Sequence, residues 1–347
     1  MTKIIRIGMD TSKQFFQLHG VDEQERVILR RKLKRKEVLT FFAGLAPTTI
    51  GIEACGGSHY WARELAKLGH EVKQIAPQYV KPYVKRGKND AADAEAVCEA
   101  MSRPTMRFVP VKSAHSQAAL MLAGLRERLV RNRIQLANAI RGYAGEFGLV
   151  AAKGQSQIEP LLLRLAEDET LPDLARELFG AQAKEYAQIE AQLARLEAKL
   201  MAWHRADEQG RRLTRIPGVG PVTASLLSMK APDPHAFSSG RQFAAWLGLT
   251  PKDHSTAGKV RLGVITRAGD ETLRSLLVVG ATAVIWQVRR GTSRHASPWL
   301  VDLLKRKPPK LAAVALANKT ARIAWKLMTT GEVYDARRRL PMTPIAA

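Results

Sequence analysis

Two long stretches in the middle of the chain repeat apolar residues at alternating spacings of three and four. The first runs through residues 114–146 and the second ends near residue 203. Their stripe positions are Leu122, Leu125, Leu129, Asn132, Leu136, Ala139 and Tyr143, and then Tyr186, Ile189, Leu193, Leu196, Leu200 and Trp203. This spacing predicts long helices that pack along one stripe. The partner is either a second helix of the same chain, in an antiparallel hairpin, or another chain, in which case Asn132 could set register or partner number.

The residues before this helical region alternate between strand and helix patterns. Three consecutive strands are predicted in KIIRIGMD, QFFQLHG and RVILRRKL. Two more strands, TTIGIEA and EVKQIAP, alternate with helices in KEVLTFFAGL, SHYWARELAKLG and DAADAEAVCEAMS. Strands that alternate with helices after an initial meander predict a layered α/β domain.

Four acidic residues stand at the ends of these elements. Asp10 and Glu53 end strands, whereas Asp90 and Asp93 open a helix. The two helical acids share one face and suit the positive end of the helix dipole. If the two strands are neighbours, the four carboxylates can converge and hold Mg²⁺, which prefers oxygen ligands.

A glycine precedes each of the two strand acids by two residues. Gly8 therefore shares a face with Asp10, and Gly51 shares a face with Glu53, while the isoleucines and methionine between them point the other way. We expect these glycines to leave open space beside the carboxylates.

The charge of the chain indicates a polyanionic partner. The 347 residues contain 55 Lys and Arg against 32 Asp and Glu, a formal net charge of +23. Residues 208–347 account for +15 of it, and such a surface favours contact with nucleic acid. No apolar run is long enough to span a membrane, and the N-terminus is typical of a strand rather than a signal peptide. The two cysteines form no CxxC pair, so we expect a reducing, cytoplasmic location.

The basic C-terminal part contains two candidate phosphate-binding segments. In IPGVGPVTA, the turn at Gly218 and Gly220 resembles that of helix-hairpin-helix modules, which expose backbone amides to a phosphate. Further on, PKDHSTAGKVRLGVITRAGDETLR reads as a polar, basic loop before a helix. Basic runs in the tail are interpreted as solvated or backbone-contacting charge; they comprise Lys305, Arg306, Lys307, Lys310, Arg337, Arg338 and Arg339.

Several of these segments together resemble one protein family. IGMDTSK, GIEACGG, KNDAADAEA, IPGVGPVTA, RQFAAWLGLTP and HSTAGKVRLGVITRAGDETLR are similar, in this order, to the DEDD transposases of insertion sequences. That family includes the pilin-gene invertase and recombinases guided by a bridge or seeker RNA. The resemblance implies an α/β RNase H-like (RuvC-like) domain in residues 1–112 and a helical coiled-coil region in 113–207. Residues 208–347 would form a mainly α transposase domain with a helix-hairpin-helix-like segment.

The resemblance also implies the residues of an active site. The DEDD acids would be Asp10, Glu53, Asp90 and Asp93, holding Mg²⁺. The family's serine nucleophile falls in Ser255-Thr256-Ala257-Gly258, where relatives commonly have two serines. Ser255 is the expected nucleophile because its primary hydroxyl is less hindered, and Thr256 stays the alternative. Three cations could stabilise charge on the phosphate, namely Lys259, Arg261 and Arg267, and His254 is a weaker candidate base.

The implied function is that of an RNA-guided DNA transposase or recombinase. It would cut and exchange strands of donor and target DNA with a guide non-coding RNA, as a homo-oligomer, dimer or tetramer. Asp93 and Ser255 are far apart in sequence, so the acids of one subunit could meet the serine of another. Two alternatives stay open: a metal-dependent nuclease of the Holliday-junction type, and a non-catalytic nucleic-acid-binding protein. IGMDTSK also resembles the opening of the sugar-kinase fold, but a kinase is disfavoured because no phosphate-binding DxGxT segment follows downstream.

Overall fold

The computed structural model describes residues 3–85, 89–256, 258–292 and 296–335. The chain divides into two compact units, residues 1–118 and 119–347. The first is a mixed α/β unit and the second is almost entirely helical. The second unit contains nearly all of the two predicted segments 113–207 and 208–347. The domain boundary between these segments stays a prediction.

The first unit is built on a six-stranded sheet of order β3-β2-β1-β4-β5-β6. Its strands are β1 (Arg6–Thr11), β2 (Phe15–Val21), β3 (Val27–Lys34), β4 (Thr49–Glu53), β5 (Glu71–Ile75) and β6 (Phe108–Val109). The first three form the predicted antiparallel meander, β4 and β5 continue parallel to β1, and β6 is antiparallel to β5. The predicted strands are confirmed, whereas the short β6 was not foreseen.

Helices cover both faces of this sheet. They are α1 (Val38–Ala43), α2 (Ser58–Lys67), α3 (Pro77–Val80) and α4 (Asp90–Ala100). On one face, Ile7 and Met9 of β1 and Ile50 and Ile52 of β4 are fully buried with Trp61 of α2, as the strand alternation predicts. The other face carries the glycines and acids, and it packs against α4.

The second unit begins with a helical hairpin. The helices are α5 (Ala114–Glu146), α6 (Ile158–Glu167) and α7 (Asp173–Ala206). Helices α5 and α7 run antiparallel within one chain, since Arg126 pairs with Glu197 and Arg133 with Glu190. Leu129 packs between these pairs against α7.

The intrachain alternative is thus realised, although the buried stripe of α5 differs from the predicted one. Leu129 is buried, but Asn132 and Tyr143 are exposed, and Ala137, Ile140 and Ala144 face the core instead. The predicted stripe of α7 is correct, with every position buried or half-buried. The small alanines of α5 escaped notice because their hydropathy signal is weak.

The rest of the second unit packs helices around one apolar core. They are α8 (Glu208–Leu213), α9 (Pro221–Lys230), α10 (Gly240–Trp246), α11 (Glu271–Arg289), α12 (Pro298–Arg306) and α13 (Pro309–Thr330). The segment predicted as a loop is instead a hairpin of β7 (Pro251–Asp253) and β8 (Leu262–Ile265). Of the predicted basic runs in the tail, Lys305 and Arg306 lie in α12 and Lys310 lies in α13, whereas Arg337, Arg338 and Arg339 lie outside the described residues. No helix in the described ranges is long and apolar enough to cross a bilayer.

Candidate active site: an acidic cluster and a serine hairpin

The two strand acids lie side by side at the carboxyl ends of the central strands β1 and β4. Strand β1 is parallel to β4 with Gly8 opposite Gly51 and Met9 opposite Ile52, so continuation of this register brings Asp10 next to Glu53. Asp90 and Asp93 lie in the first turn of α4, whose start is capped by Asn89 through a 2.9 Å hydrogen bond from the Ala92 amide. The predicted placement of all four acids at element ends is confirmed.

The two glycines do not leave open space, and this expectation was wrong. A Cβ atom on Gly8 would lie 2.1 Å from the carbonyl oxygen of Ala94 and 2.5 Å from the amide nitrogen of Cys98. A Cβ on Gly51 would lie 2.6 Å from the Met101 sulfur. Gly8 instead lets the backbone of α4 lie directly on β1, and Gly51 makes room for the side chains of Val97 and Met101, so that α4 packs closely over both strands.

The acids influence one another electrostatically. Burial, followed by the negative charges of Asp90, Asp93 and Glu53, raises the pKa of Asp10 to about 6. The pKa of Glu53 is also raised, by burial and by the charge of Asp93. The carboxylates repel one another when they are ionised, and a bound cation offsets this repulsion. The charge of the cluster therefore suits a divalent metal.

The cluster is not a preformed coordination centre. Among the residues that the structure describes, no three Asp, Glu, His or Cys side chains are arranged so that they could hold one metal ion. Mg²⁺ usually keeps several waters and takes only one or two carboxylates together with phosphate oxygens. The donor chemistry therefore fits Mg²⁺, and the metal site stays a prediction.

A buried polar network supports the loop after Glu53. The Ser58 hydroxyl accepts a hydrogen bond from the Cys55 amide at 3.2 Å and donates to the side-chain oxygen of Gln74 at 2.6 Å. Gln74 is fully buried and its amide group contacts His59 Nδ1 at 3.0 Å. Burial, then the charges of Lys112 and Arg63, lower the pKa of His59 to about 4. This network fixes the chain immediately after a candidate ligand, and isolated polar residues gave no sequence signal for it.

The candidate nucleophile lies on the exposed hairpin of the second unit. The Ser255 amide donates to Asp253 Oδ1 at 2.8 Å, and the Ser255 hydroxyl accepts from the Arg261 amide at 3.0 Å across the hairpin. Thr256 pairs with Lys259 through two backbone hydrogen bonds near the tip. Ala257, the third residue of the motif, lies outside the described residues.

Asp253 is a neighbour of the serine that the sequence analysis did not single out. Hydrogen bonds from the side chain and then the backbone of Ser255 lower the pKa of Asp253. The ring of His254 has a different environment, because a Cβ on Gly263 would lie 3.2 Å from its Cδ2 and Nε2 atoms. The His254 ring thus lies beside the opposite strand, whereas the carboxylate of Asp253 is the acid at the serine.

The predicted phosphate-contacting residues have unequal surroundings. Lys259, Arg261 and Arg267 are exposed, and Arg267 has a left-handed backbone with φ of 55°, which is uncommon for a residue other than glycine. Gly220 is exposed and caps α9. Gly218, by contrast, packs closely on α11: a Cβ at Gly218 would lie 2.8 Å from the Gly280 carbonyl oxygen.

Comparison with known proteins finds matches to both units. A DEDD transposase model of the IS110 group matches residues 7–146, and the model described as "Transposase IS116/IS110/IS902 family" matches residues 210–296. The putative transposase y4pF/y4sB of Sinorhizobium fredii is 70% identical over 332 residues, covering 96% of this chain and 86% of the relative. The probable family 20 transposase of Pseudomonas aeruginosa is 50% identical over 95% of this chain and 98% of its own length. The transposase for insertion sequence element IS1111A of Coxiella burnetii is 39% identical over 96% of this chain and 92% of its own length.

Proposed function

The chain belongs to the IS116/IS110/IS902 transposase family, and we propose that it is an RNA-guided DNA transposase using a magnesium-binding acidic cluster and a serine nucleophile. The observation that carries this proposal is the parallel register of β1 and β4, whose continuation sets Asp10 next to Glu53. The pKa of Asp10, raised by burial and then by the charges of Asp90, Asp93 and Glu53, supports it. The strand order β3-β2-β1-β4-β5 supports an RNase H-like (RuvC-like) assignment for the first unit.

Asp10, Glu53, Asp90 and Asp93 would hold Mg²⁺. When bound, the ion offsets negative charge on the attacked phosphate and on the leaving oxygen. Helix α4, seated on Gly8 and Gly51, positions two of the carboxylates, and the Ser58–Gln74 pair holds the loop that follows Glu53.

Ser255 supplies the covalent step. Its Oγ forms a bond to phosphorus, and the bond from phosphorus to one DNA oxygen breaks. The serine proton passes to the carboxylate of Asp253, whose Oδ1 accepts a hydrogen bond from the Ser255 amide, and from there to the leaving DNA oxygen, which departs as a hydroxyl. A second DNA hydroxyl then attacks the phosphoserine ester, which restores the serine hydroxyl and joins the new strands.

Lys259, Arg261 and Arg267 would stabilise the negative charge of the phosphate during this exchange. A guide RNA and a homo-oligomer are proposed from the family resemblance, and the net charge of +23 supports binding of nucleic acid. Sequencing of RNA that co-purifies with the protein from cells tests the guide; a discrete RNA from the flank of the element is expected.

The decisive experiment distinguishes the roles of the acidic cluster, Ser255 and Thr256 in the reaction. Asp10→Asn should abolish strand cleavage with Mg²⁺ present, whereas Ser255→Ala should abolish the covalent protein–DNA adduct and strand exchange. Thr256→Ala is the matched control, because its backbone pairing with Lys259 survives the change, and it should retain the adduct. Cleavage by Ser255→Ala without an adduct would instead indicate a hydrolytic nuclease, and full activity of Asp10→Asn would remove the acidic cluster from the reaction.

A further inference from the structure

A strongly basic segment forms the second half of the edge strand β3 and the turn that follows it. Six of the seven residues from Arg30 to Lys36 are Lys or Arg. Strand β3 is the last strand on its side of the sheet. None of the six forms a salt bridge with a carboxylate in the described part of the chain. Their charge is available to a partner.

The sheet register connects this edge to the acidic cluster. Asp10 on β1 lies opposite Gln17 on β2, and Gln17 lies opposite Lys32 on β3. Directly paired residues on antiparallel neighbours point to the same face. Asp10, Gln17 and Lys32 therefore form one row, about 10 Å long because it spans two strand spacings.

Among the described residues, helix α4 packs on the neighbouring row and not on this one. The neighbouring row contains Gly8, against which α4 packs, and His19, which is buried. In the open row, Gln17 is half-buried and Lys32 is exposed. In the part of the chain that the structure describes, the exposed surface of this row therefore extends from Lys32 through half-buried Gln17 to half-buried Asp10.

An exposed aromatic ring lies at the outer end of the row. Phe15 is 37% exposed and pairs across the strands with Lys34. The Lys32 ammonium lies 4.4 Å from the centre of the Phe15 ring. An aromatic ring next to unpaired cations is the combination that binds single-stranded nucleic acid, by base stacking and phosphate contact together.

We propose that Phe15, Gln17, Lys32 and Lys34 form a track that guides a single DNA strand along the sheet to Asp10. This proposal rests on the proposed function, since a DNA phosphodiester is what Asp10 would act on. Duplex DNA fits the track less well, because its bases are stacked inside and cannot reach Phe15. Edge strands also carry lysines simply to prevent sheet-to-sheet pairing, but that role does not require a particular face.

Because the track needs cations on the same face of the sheet as Asp10, two double variants that remove equal charge from opposite faces test it. Lys32→Ala/Lys34→Ala removes two charges from the Asp10 face. Arg31→Ala/Arg35→Ala also removes two, but from the opposite face, where the Arg31 guanidinium lies 5.0 Å from the Phe41 ring centre and the Arg35 guanidinium lies 5.0 Å from the Trp61 ring centre. Both doubles are made in the full chain with Asp10→Asn, so that binding is measured without cleavage and a failed track is distinguishable from a failed active site.

Binding is measured by fluorescence anisotropy of a labelled single-stranded DNA, with the same sequence as duplex and as RNA in parallel. Lys32→Ala/Lys34→Ala should weaken single-strand binding about tenfold and reduce the salt slope by about 1.4, from two phosphate contacts. Phe15→Leu should weaken it at least about fivefold and leave duplex binding unchanged. The opposite-face double should stay within about twofold of the parent.

Because other basic surfaces of the chain also attract nucleic acid, a local readout is added. A photocrosslinking benzoylphenylalanine at position 15 should crosslink to single-stranded DNA, whereas the same group at position 41 should not. Equal weakening by the two double variants, or no crosslink at position 15, would overturn the track. Tighter binding and crosslinking of RNA than of DNA would overturn its assignment to a DNA strand.

Discussion

The carbonyl oxygen of Ala94 in α4 lies 2.1 Å from the position that a Cβ atom would take on Gly8 in β1. Helix and strand are thus in backbone contact one residue from the helical acid Asp93 and two residues from the strand acid Asp10. The distance between the two pairs of carboxylates depends on this contact, because any side chain at position 8 must push the helix away.

Gly8→Ala is therefore expected to lower both stability and activity. The added methyl group cannot be accommodated by rotating a side chain, since backbone atoms oppose it, so we expect a loss of about 1–3 kcal/mol in the free energy of unfolding. Urea denaturation and Mg²⁺-dependent cleavage measure the two effects. Gly142→Ala in α5 is the control, because a Cβ there meets nothing within 4 Å and alanine favours the helix. Normal cleavage by Gly8→Ala would show that the α4 contact does not set the site.

Asp10→Asn should stabilise the metal-free protein at alkaline pH. The folded pKa of Asp10, about 6, exceeds its ordinary value of 3.8, so its ionisation opposes folding fully above pH 6 and not at all below about pH 3.8. After allowance for solvent screening we expect a gain of about 1 kcal/mol at pH 8. Thermal unfolding at pH 8 and pH 4 measures it.

Asp168→Asn is the control of opposite sign, because hydrogen bonds from Thr170 lower the pKa of Asp168. Its removal should reduce stability at pH 8. A destabilised Asp10→Asn protein at that pH would mean that the carboxylates do not repel one another in the folded state.

Cleavage should decrease as the pH falls through about 6, where Asp10 becomes protonated. A bound cation favours the carboxylate, so the midpoint of the pH profile should move to lower pH as the Mg²⁺ concentration rises. The measurement is the cleavage rate at several Mg²⁺ concentrations between pH 5 and pH 8. A midpoint that does not respond to Mg²⁺ would argue that Asp10 is not a ligand.

Gly280→Ala should destabilise the second unit. A Cβ at Gly280 would lie 1.9 Å from the carbonyl oxygen of Gly218, so α11 would be forced off the turn before α9. We expect a loss of about 1–3 kcal/mol. Gly220→Ala is the control in the same turn, because a Cβ there has no neighbour within 4 Å and so does not disturb packing. It should leave stability nearly unchanged, and differential scanning calorimetry compares the two variants.

Local patterns were sufficient for the elements that bear the acids. Alternation in IIRIGMD and TTIGIEA predicted β1 and β4 and the faces of Asp10 and Glu53, because the side-chain period of a strand is fixed by its backbone. The serine hairpin was missed, since its strands are short, exposed and mixed in polarity. Asp253 was also missed, because a sequence does not show which neighbouring side chain turns towards a hydroxyl group.

The sequence by itself determined the strongly basic charge, the strand–helix order and the acids at element ends, because composition and periodicity are local properties of the chain. Tertiary structure decided that Gly8 and Gly51 are contact points for α4 and that α5 pairs with α7 of the same chain. It also aligned Asp10 with Gln17 and Lys32. These relationships depend on which distant residues meet, and that is set by the packing of whole elements rather than by any one of them.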